Sequence, residues 1–250
     1  MTQMPHLRPH NHLLLSLSAA DFALLQPDLE TVTLALRLRL ELPNKPIAHV
    51  YFPESGIVSV VALTHSREQI EAGFFGWEGM SGLPVVMGDD RSPHAMYVQL
   101  AGHGQRIAAA PIREAMRKST SMQLCFLHFA QAFMTQTAHT TLANGRAKVE
   151  ERLARWILMA HDRAEGDGLS FTHELLAIML GVRRAGVTVA LRLLETRALI
   201  GTKRSLIVVE DRVGLEKVAN GFYGISEAEC TRLTGWHGRE RFKKVARARA

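Results

Sequence analysis

From residue 34 to residue 42 hydrophobic and polar positions alternate almost strictly, with Leu34, Leu36, Leu38, Leu40 and Leu42 on one side and Arg37, Arg39 and Glu41 on the other. A period of two predicts one half-buried strand, in spite of leucine's helical preference. Pro43-Asn44-Lys45-Pro46 ends it. Further short β-type runs lie at residues 47–52, 57–63, 69–75 and 96–100, separated by Pro53-Glu54-Ser55-Gly56, by polar residues 64–68 and by a glycine-rich stretch over 76–88. Strands of this length and spacing predict an antiparallel roll or barrel.

Upstream, Ser18 and Asp21 form a Ser-x-x-Asp pattern ahead of the apolar pair Phe22 and Leu25, with Pro27 beyond. This predicts a short capped helix. A secretory leader fits less well: the short apolar run over 13–17 with Ala19 and Ala20 is interrupted by Ser16 and Ser18, and several histidines rather than a clearly cationic stretch precede it.

Past Pro111 the pattern changes. Between residues 112 and 163 there is no proline and Gly145 is the only glycine. Leu127, Ala130, Met134, Thr137 and Thr141 recur at spacings of three and four, as on one face of a long helix that Asn144-Gly145 is expected to end. A second helix follows, striped by Val149, Leu153, Trp156, Ile157 and Ala160 and supported by the pair Glu151 and Arg155.

Residues 172–212 are the most informative. Thr172 caps a short helix carrying Leu175, Leu176 and Met179; Gly181 supplies a tight turn; a second helix from about Arg184 to Arg197 buries Val187, Leu191 and Leu194. Arg183 and Arg184 crowd its amino end, while Thr188 and Arg192 point away from the stripe. Leu199-Ile200 and Ile207-Val208-Val209 then flank residues 201–205 as a small hairpin with Lys203 and Arg204 at its tip. Two short helices on a glycine turn, followed by a basic hairpin, fit a winged helix-turn-helix. A major groove about 12 Å wide admits one helix, and an arginine in its first turns bonds guanine O6 and N7 in parallel. The competing reading, a helical hairpin with a solvated arginine face, accounts for Arg183-Arg184 alone but not for cap, turn, stripe and hairpin together.

Composition adds bounds. The 250 residues are 47% hydrophobic and 22% charged, which is globular composition, and no run approaches the ~18 apolar residues of a membrane span. Cys125 and Cys230 are the two cysteines, too few for a disulfide framework, a four-thiolate zinc site or a cysteine-ligated cluster, and they suit a reducing compartment. The net charge of +6 resides entirely in residues 231–250, where seven basic residues meet the single acid Glu240. Any nucleic-acid argument for the folded body therefore rests on local clusters.

The segment THELLAIMLGVRRAGVTVALRLLE, residues 172–195, resembles the helix-turn-helix of the Crp/Fnr family of bacterial transcription regulators. VYFPESGIVSVV, residues 50–61, resembles that family's cyclic-nucleotide-binding-type sensor, and the long helix resembles its dimerisation helix. The resemblance runs in order over residues 13–224. It implies an α+β chain with a β-roll sensor over 13–118, a dimerisation helix over 119–145, a winged helix-turn-helix over 146–224 and a basic tail over 225–250. It also implies a cytoplasmic, non-enzymatic homodimer on a two-fold symmetric operator, with duplex DNA, a second copy of itself and RNA polymerase as partners and no membrane contact. Leu127, Ala130, Met134, Thr137 and Thr141 are then the dimer contacts, and Thr172, Arg183, Arg184, Thr188, Val189, Arg192, Lys203 and Arg204 the DNA contacts. Arg184 stands at the family's leading base-reading arginine, and Arg192 at a basic position one turn beyond the second reader. The usual acidic reader is Ala185 and the second basic reader Val189, so the family's best-known operator is not expected unchanged; Val189 suits a thymine methyl.

In the sensor, Glu78 matches the ribose ligand of the cyclic-nucleotide-binding members and Arg91 the phosphate ligand, with Gly79, Ser81, Ser92 and Thr137 beside them. The spacing is longer than the usual cassette, Gly79 replaces an aliphatic residue and Pro93 follows Arg91-Ser92. A different ligand, or none, is therefore expected ahead of a cyclic nucleotide, and no resident cofactor. With no cysteine before Cys125 there is no iron–sulfur cluster, and the histidines show no zinc or catalytic spacing. The alternative function is a nucleotide-binding sensor acting through a protein partner. An enzyme lacks support, since no Ser/His/Asp set, P-loop or HExxH is present.

Overall fold

The computed structural model describes residues 9–66, 68–203 and 205–239. Helix α1 (His12–Ser16) is capped by Asn11, whose side chain accepts from the amides of Leu13 and Leu14, and α2 (Ala19–Leu25) is capped by Ser18 as its sequence predicts. Asp21 does not complete a capping box: its carboxylate accepts from the hydroxyls of Ser119 and Ser121, which ties this helix to the start of the long one.

The roll consists of two antiparallel sheets. One orders β1 (Glu30–Leu34), β7 (Gly102–Ala108) and β3 (His49–Pro53); the other orders β2 (Arg39–Glu41), β6 (Ala95–Leu100), β4 (Ile57–Leu63) and β5 (Gln69–Phe75). Strand β4 is central in its sheet and buried along most of its length, which is why its sequence is a nearly continuous apolar run. The expected single strand over 34–42 is a correction. Leu34 is buried, but the chain turns through Arg37 at φ 67°, and the register shifts between Arg39 and Glu41. That one-residue shift exchanges faces: Glu41 turns inward and accepts from the Gly82 amide at 2.7 Å, while Leu36, Leu38 and Leu42 are exposed.

Helix α3 (Leu83–Val86) and α4 (Ala109–Lys118) lead to α5 (Thr120–Arg146), which runs through Asn144 and Gly145 instead of stopping there. Helix α6 (Val149–His161) starts on Lys148, whose amide is accepted by Glu151. Beyond lie β8 (Gly168–Ser170), α7 (His173–Leu180), α8 (Arg184–Thr196), β9 (Ile200–Lys203), β10 (Leu206–Val209) and α9 (Arg212–Val218), with a small sheet ordered β8-β10-β9. One core fills the roll and the first half of α5. A second is built on α6, α7 and α8 and takes in Ile57 and Phe74 from the roll.

The basic tail expected from residue 225 is in part an element of the fold. Helix α10 (Ile225–Thr234) packs on α5, and Trp236 beyond it is 2% exposed. Residues 240–250, the rest of that tail, lie outside the described residues.

Candidate nucleic-acid interface

Helix α7 begins where the Thr172 hydroxyl accepts from the Leu175 amide, and ends at Gly181, whose φ of 60° is the left-handed turn that a side chain resists. The turn drops Val182 against the second core and starts α8 with Arg183 as its cap residue. Val187, Ala190, Leu191 and Leu194 are buried, so the opposite face of α8 is fixed in orientation by a stripe with the period of the helix.

That opposite face carries Arg183, Arg184, Ala185, Val189 and Arg192, all exposed. Val189 is 57% exposed, on a helix whose other valine, Val187, is fully buried. Thr188 is half-buried; its hydroxyl donates to the Arg184 carbonyl and lies 3.1 Å from His173 Nδ1, which fastens the two helices to each other. Among the described residues, none of Arg183, Arg184, Arg192 and Lys203 enters an ion pair, in contrast to Arg106, Arg163, Arg212 and Arg232. Lys203 is exposed at the end of β9, in the hairpin with β10. Arg204, expected beside it, lies outside the described residues.

Along α5 one stripe of exposed positions runs through Leu124, Leu127, Gln131, Met134, Ala138, Thr141 and Gly145. The spacing alternates three and four, a 3.5-residue period that keeps one seam facing a partner helix. Leu127, Met134 and Thr141 of the expected contacts lie on it. Ala130 does not: it is 4% exposed and packs inside its own chain, and Thr137 is half-buried with its hydroxyl on the Met134 carbonyl. The pattern read from the sequence mixed two adjacent stripes. Leu124, Gln131, Ala138 and Gly145 also lie on the exposed stripe, at heptad steps from Leu124.

The candidate sensor ligands are not brought together as a binding site. Glu78 is 1% exposed; it accepts from the Gly76 amide and forms a 2.7 Å ion pair with Arg163, just past α6. Gly79 leaves room for a ring, not for a ligand: a Cβ there would sit 2.4 Å from Phe129 of α5. Ser81 is buried and accepts from the Tyr51 amide; Ser92 accepts from the His94 amide. Arg91 is exposed and paired with its neighbour Asp90. Glu78 and Phe129 line a void of only about 10 Å³. Among the described residues no group of three His, Cys, Asp or Glu could hold a metal ion, and no helix is long and apolar enough to cross a membrane.

What the sequence pattern did not reveal is how tightly the two cores are joined. Arg163 is 3% exposed and lies 5.0 Å from the ring centroids of both Phe74 and Trp236, so sheet, α6 and the segment after α10 meet on one guanidinium. Nearby, the fully buried Glu71 of β5 accepts from Trp156 Nε1 at 2.8 Å and from the Ser59 hydroxyl, which also touches the Met179 sulfur of α7. Burial pushes the Glu71 carboxyl up to about 7. A larger cavity of about 550 Å³ opens between α6, α9 and α10. Arg212, Asp162, Tyr223 and His161 on its wall are bonded to one another.

Residues 151–218 match the model of the Crp-like helix-turn-helix domain. No curated protein sequence matches the chain. Among solved structures it resembles FixK2 from Bradyrhizobium japonicum at 17% identity and a TM-score of 0.66, over 76% of this chain and 96% of that one. It also resembles CLP, the c-di-GMP responsive global regulator of Xanthomonas campestris, at 16% identity and a TM-score of 0.61, over 77% and 99% of the two chains. A CRP/FNR-family transcriptional regulator from Thermus thermophilus gives 17% identity and a TM-score of 0.60, over 77% and 99%.

Proposed function

We propose that this chain, whose residues 151–218 are a Crp-like helix-turn-helix domain on the fold of the Crp/Fnr transcription regulators, is a sequence-specific DNA-binding regulator and not an enzyme, acting in the cytoplasm as a homodimer. The observation that carries the reading is the exposed face of α8, where three arginines without carboxylate partners among the described residues stand beside an exposed valine. Cations left unpaired on one helix face suit phosphate and guanine; an exposed valine among them suits a thymine methyl. The seam on α5 is the dimer contact, and pairing along it would present two copies of α8 to successive major grooves.

Control through a nucleotide in the roll is not part of the proposal, because Glu78 and Ser81 are committed to Arg163 and Tyr51 and Phe129 fills the space beside Gly79. RNA polymerase remains the partner a regulator of this architecture is expected to meet. Selection of bound duplexes from a random pool is the direct test. A two-fold symmetric consensus is expected, with half-sites about one helical turn apart and affinity that falls steeply with salt. Enrichment of no sequence, or binding indifferent to salt, overturns the reading.

A further inference from the structure

Arg152 and Arg155 stand one turn apart on α6 and line the same small cavity, at the junction between the roll and the helix-turn-helix. Its volume is about 20 Å³, and Glu71 and Phe74 of β5, Thr140 and Asn144 of α5 and Met179 of α7 complete the wall. Arg155 is 4% exposed. Its Nε donates to the Phe222 carbonyl at 3.0 Å, but its buried Nη2 has no acceptor among the described residues. The Nε of Arg152 is likewise buried without an acceptor, and its Nη1 only reaches Asn144 Oδ1 at 3.5 Å.

Neither guanidinium enters an ion pair among the described residues. Glu71, on the same wall, accepts from Trp156 and Ser59 and acts on Arg155 through its charge, but makes no hydrogen bond or ion pair to either guanidinium. The Thr140 hydroxyl is turned to the Gln136 carbonyl. The cavity therefore sets two guanidinium groups against one carboxyl and leaves Arg152 Nε and Arg155 Nη2 without acceptors among the described residues. A guanidinium taken out of water recovers its lost hydration only when its N–H groups meet acceptors.

We infer that this cavity binds a single halide-sized anion, chloride in the cell, which accepts from Arg152 Nε and Arg155 Nη2 and fastens α6 to the sensor sheet. Space of this size holds one water-sized body, so phosphate, carboxylates and nucleotides are excluded. A water molecule is the competitor. It would supply one acceptor atom but also two donors, and no charge to set against the two guanidinium groups. The inference is independent of DNA binding and is tested without DNA.

Crystals of the full chain soaked in sodium bromide give the direct readout. An anomalous peak in contact with both nitrogens is expected, and ordinary light-atom density there, without anomalous signal, overturns the inference. In solution, sodium bromide replaces sodium glutamate at constant ionic strength while thermal unfolding is followed. The readout is the Tm of the wild type minus that of Arg152→Gln, which cancels the general effects of the two salts. A saturable rise of about 3 °C is expected once bromide exceeds its Kd tenfold. A difference that does not change with bromide overturns the inference, and the anomalous experiment decides it should Arg152→Gln not fold.

Discussion

Arg184 and Lys203 are both exposed cations of like charge in solution, yet their places in the fold assign them different work. Arg184 opens a helix whose buried stripe fixes its direction, so its planar fork is presented in one orientation. Replacing it with alanine should relax preference at one base pair per half-site, by ~1–3 kcal/mol of discrimination. Lys203, in the wing hairpin, should instead act as a point charge: Lys203→Ala is expected to weaken all duplexes alike and to reduce the salt slope by about one. Gel-shift series on matched and single-substituted duplexes separate the two outcomes. Glu71 poses a different single-residue question. Burial raises its carboxyl from an ordinary 4.5 to about 7, so in that interval the folded chain holds a proton that the unfolded chain has released. Its contribution to stability is therefore complete below pH 4.5, declines as pH rises, and is lost above about 7. Glu71→Gln, which keeps the hydrogen-bonding shape without the charge, should flatten that decline in denaturant midpoints measured across the same interval.

At the scale of elements, α5 makes the sharpest distinction between neighbouring positions. Met134 is 59% exposed on the heptad seam, whereas Ala130, one turn away, is 4% exposed and faces its own core. Met134→Glu should abolish the proposed dimer, read by sedimentation against the wild type, with little change in secondary structure. Ala130→Leu should instead overpack the protomer, lowering stability by ~1–3 kcal/mol. The same contrast explains how much was legible beforehand. Periodicity located four of the roll's strands, the long helix and the helix-turn-helix, because each buries one face with its own period. It misjudged residues 34–42, because a turn and a register shift leave no mark in an alternating pattern. It missed β7, whose Gly102 and Gly104 read as loop residues; a Cβ at either would lie within 2.4 Å of backbone atoms of the chain passing beside it. On the candidate interface, the exposure of the arginines and Val189 was legible because they lie off the buried stripe of α8. Glu78 was misread because a carboxylate's function depends on what reaches it, and Arg163 reaches it from 85 residues away.

Across the whole molecule the decisive contact is that ion pair, since it joins a loop of the roll to the residue that leaves α6, beneath Trp236. Both partners are almost fully buried, at 3% and 1% side-chain exposure. An ion pair in such a place contributes little net stability over a well-packed apolar pair, but removing one partner strands the other charge. Arg163→Met should thus cost ~3–5 kcal/mol, mostly the penalty of an uncompensated Glu78 carboxylate. Arg163→Met combined with Glu78→Gln should recover a good part of that loss, because the stranded charge is gone although the pair is not restored. Trp236→Ala removes the ring over the guanidinium and a large buried side chain, at ~3–5 kcal/mol, with the ion pair left in place. Chemical denaturation of the three variants distinguishes a clasp from mere packing. If the double variant were no more stable than Arg163→Met, charge compensation would not be what holds roll and helix-turn-helix together, and ring packing around Trp236 would carry the junction alone.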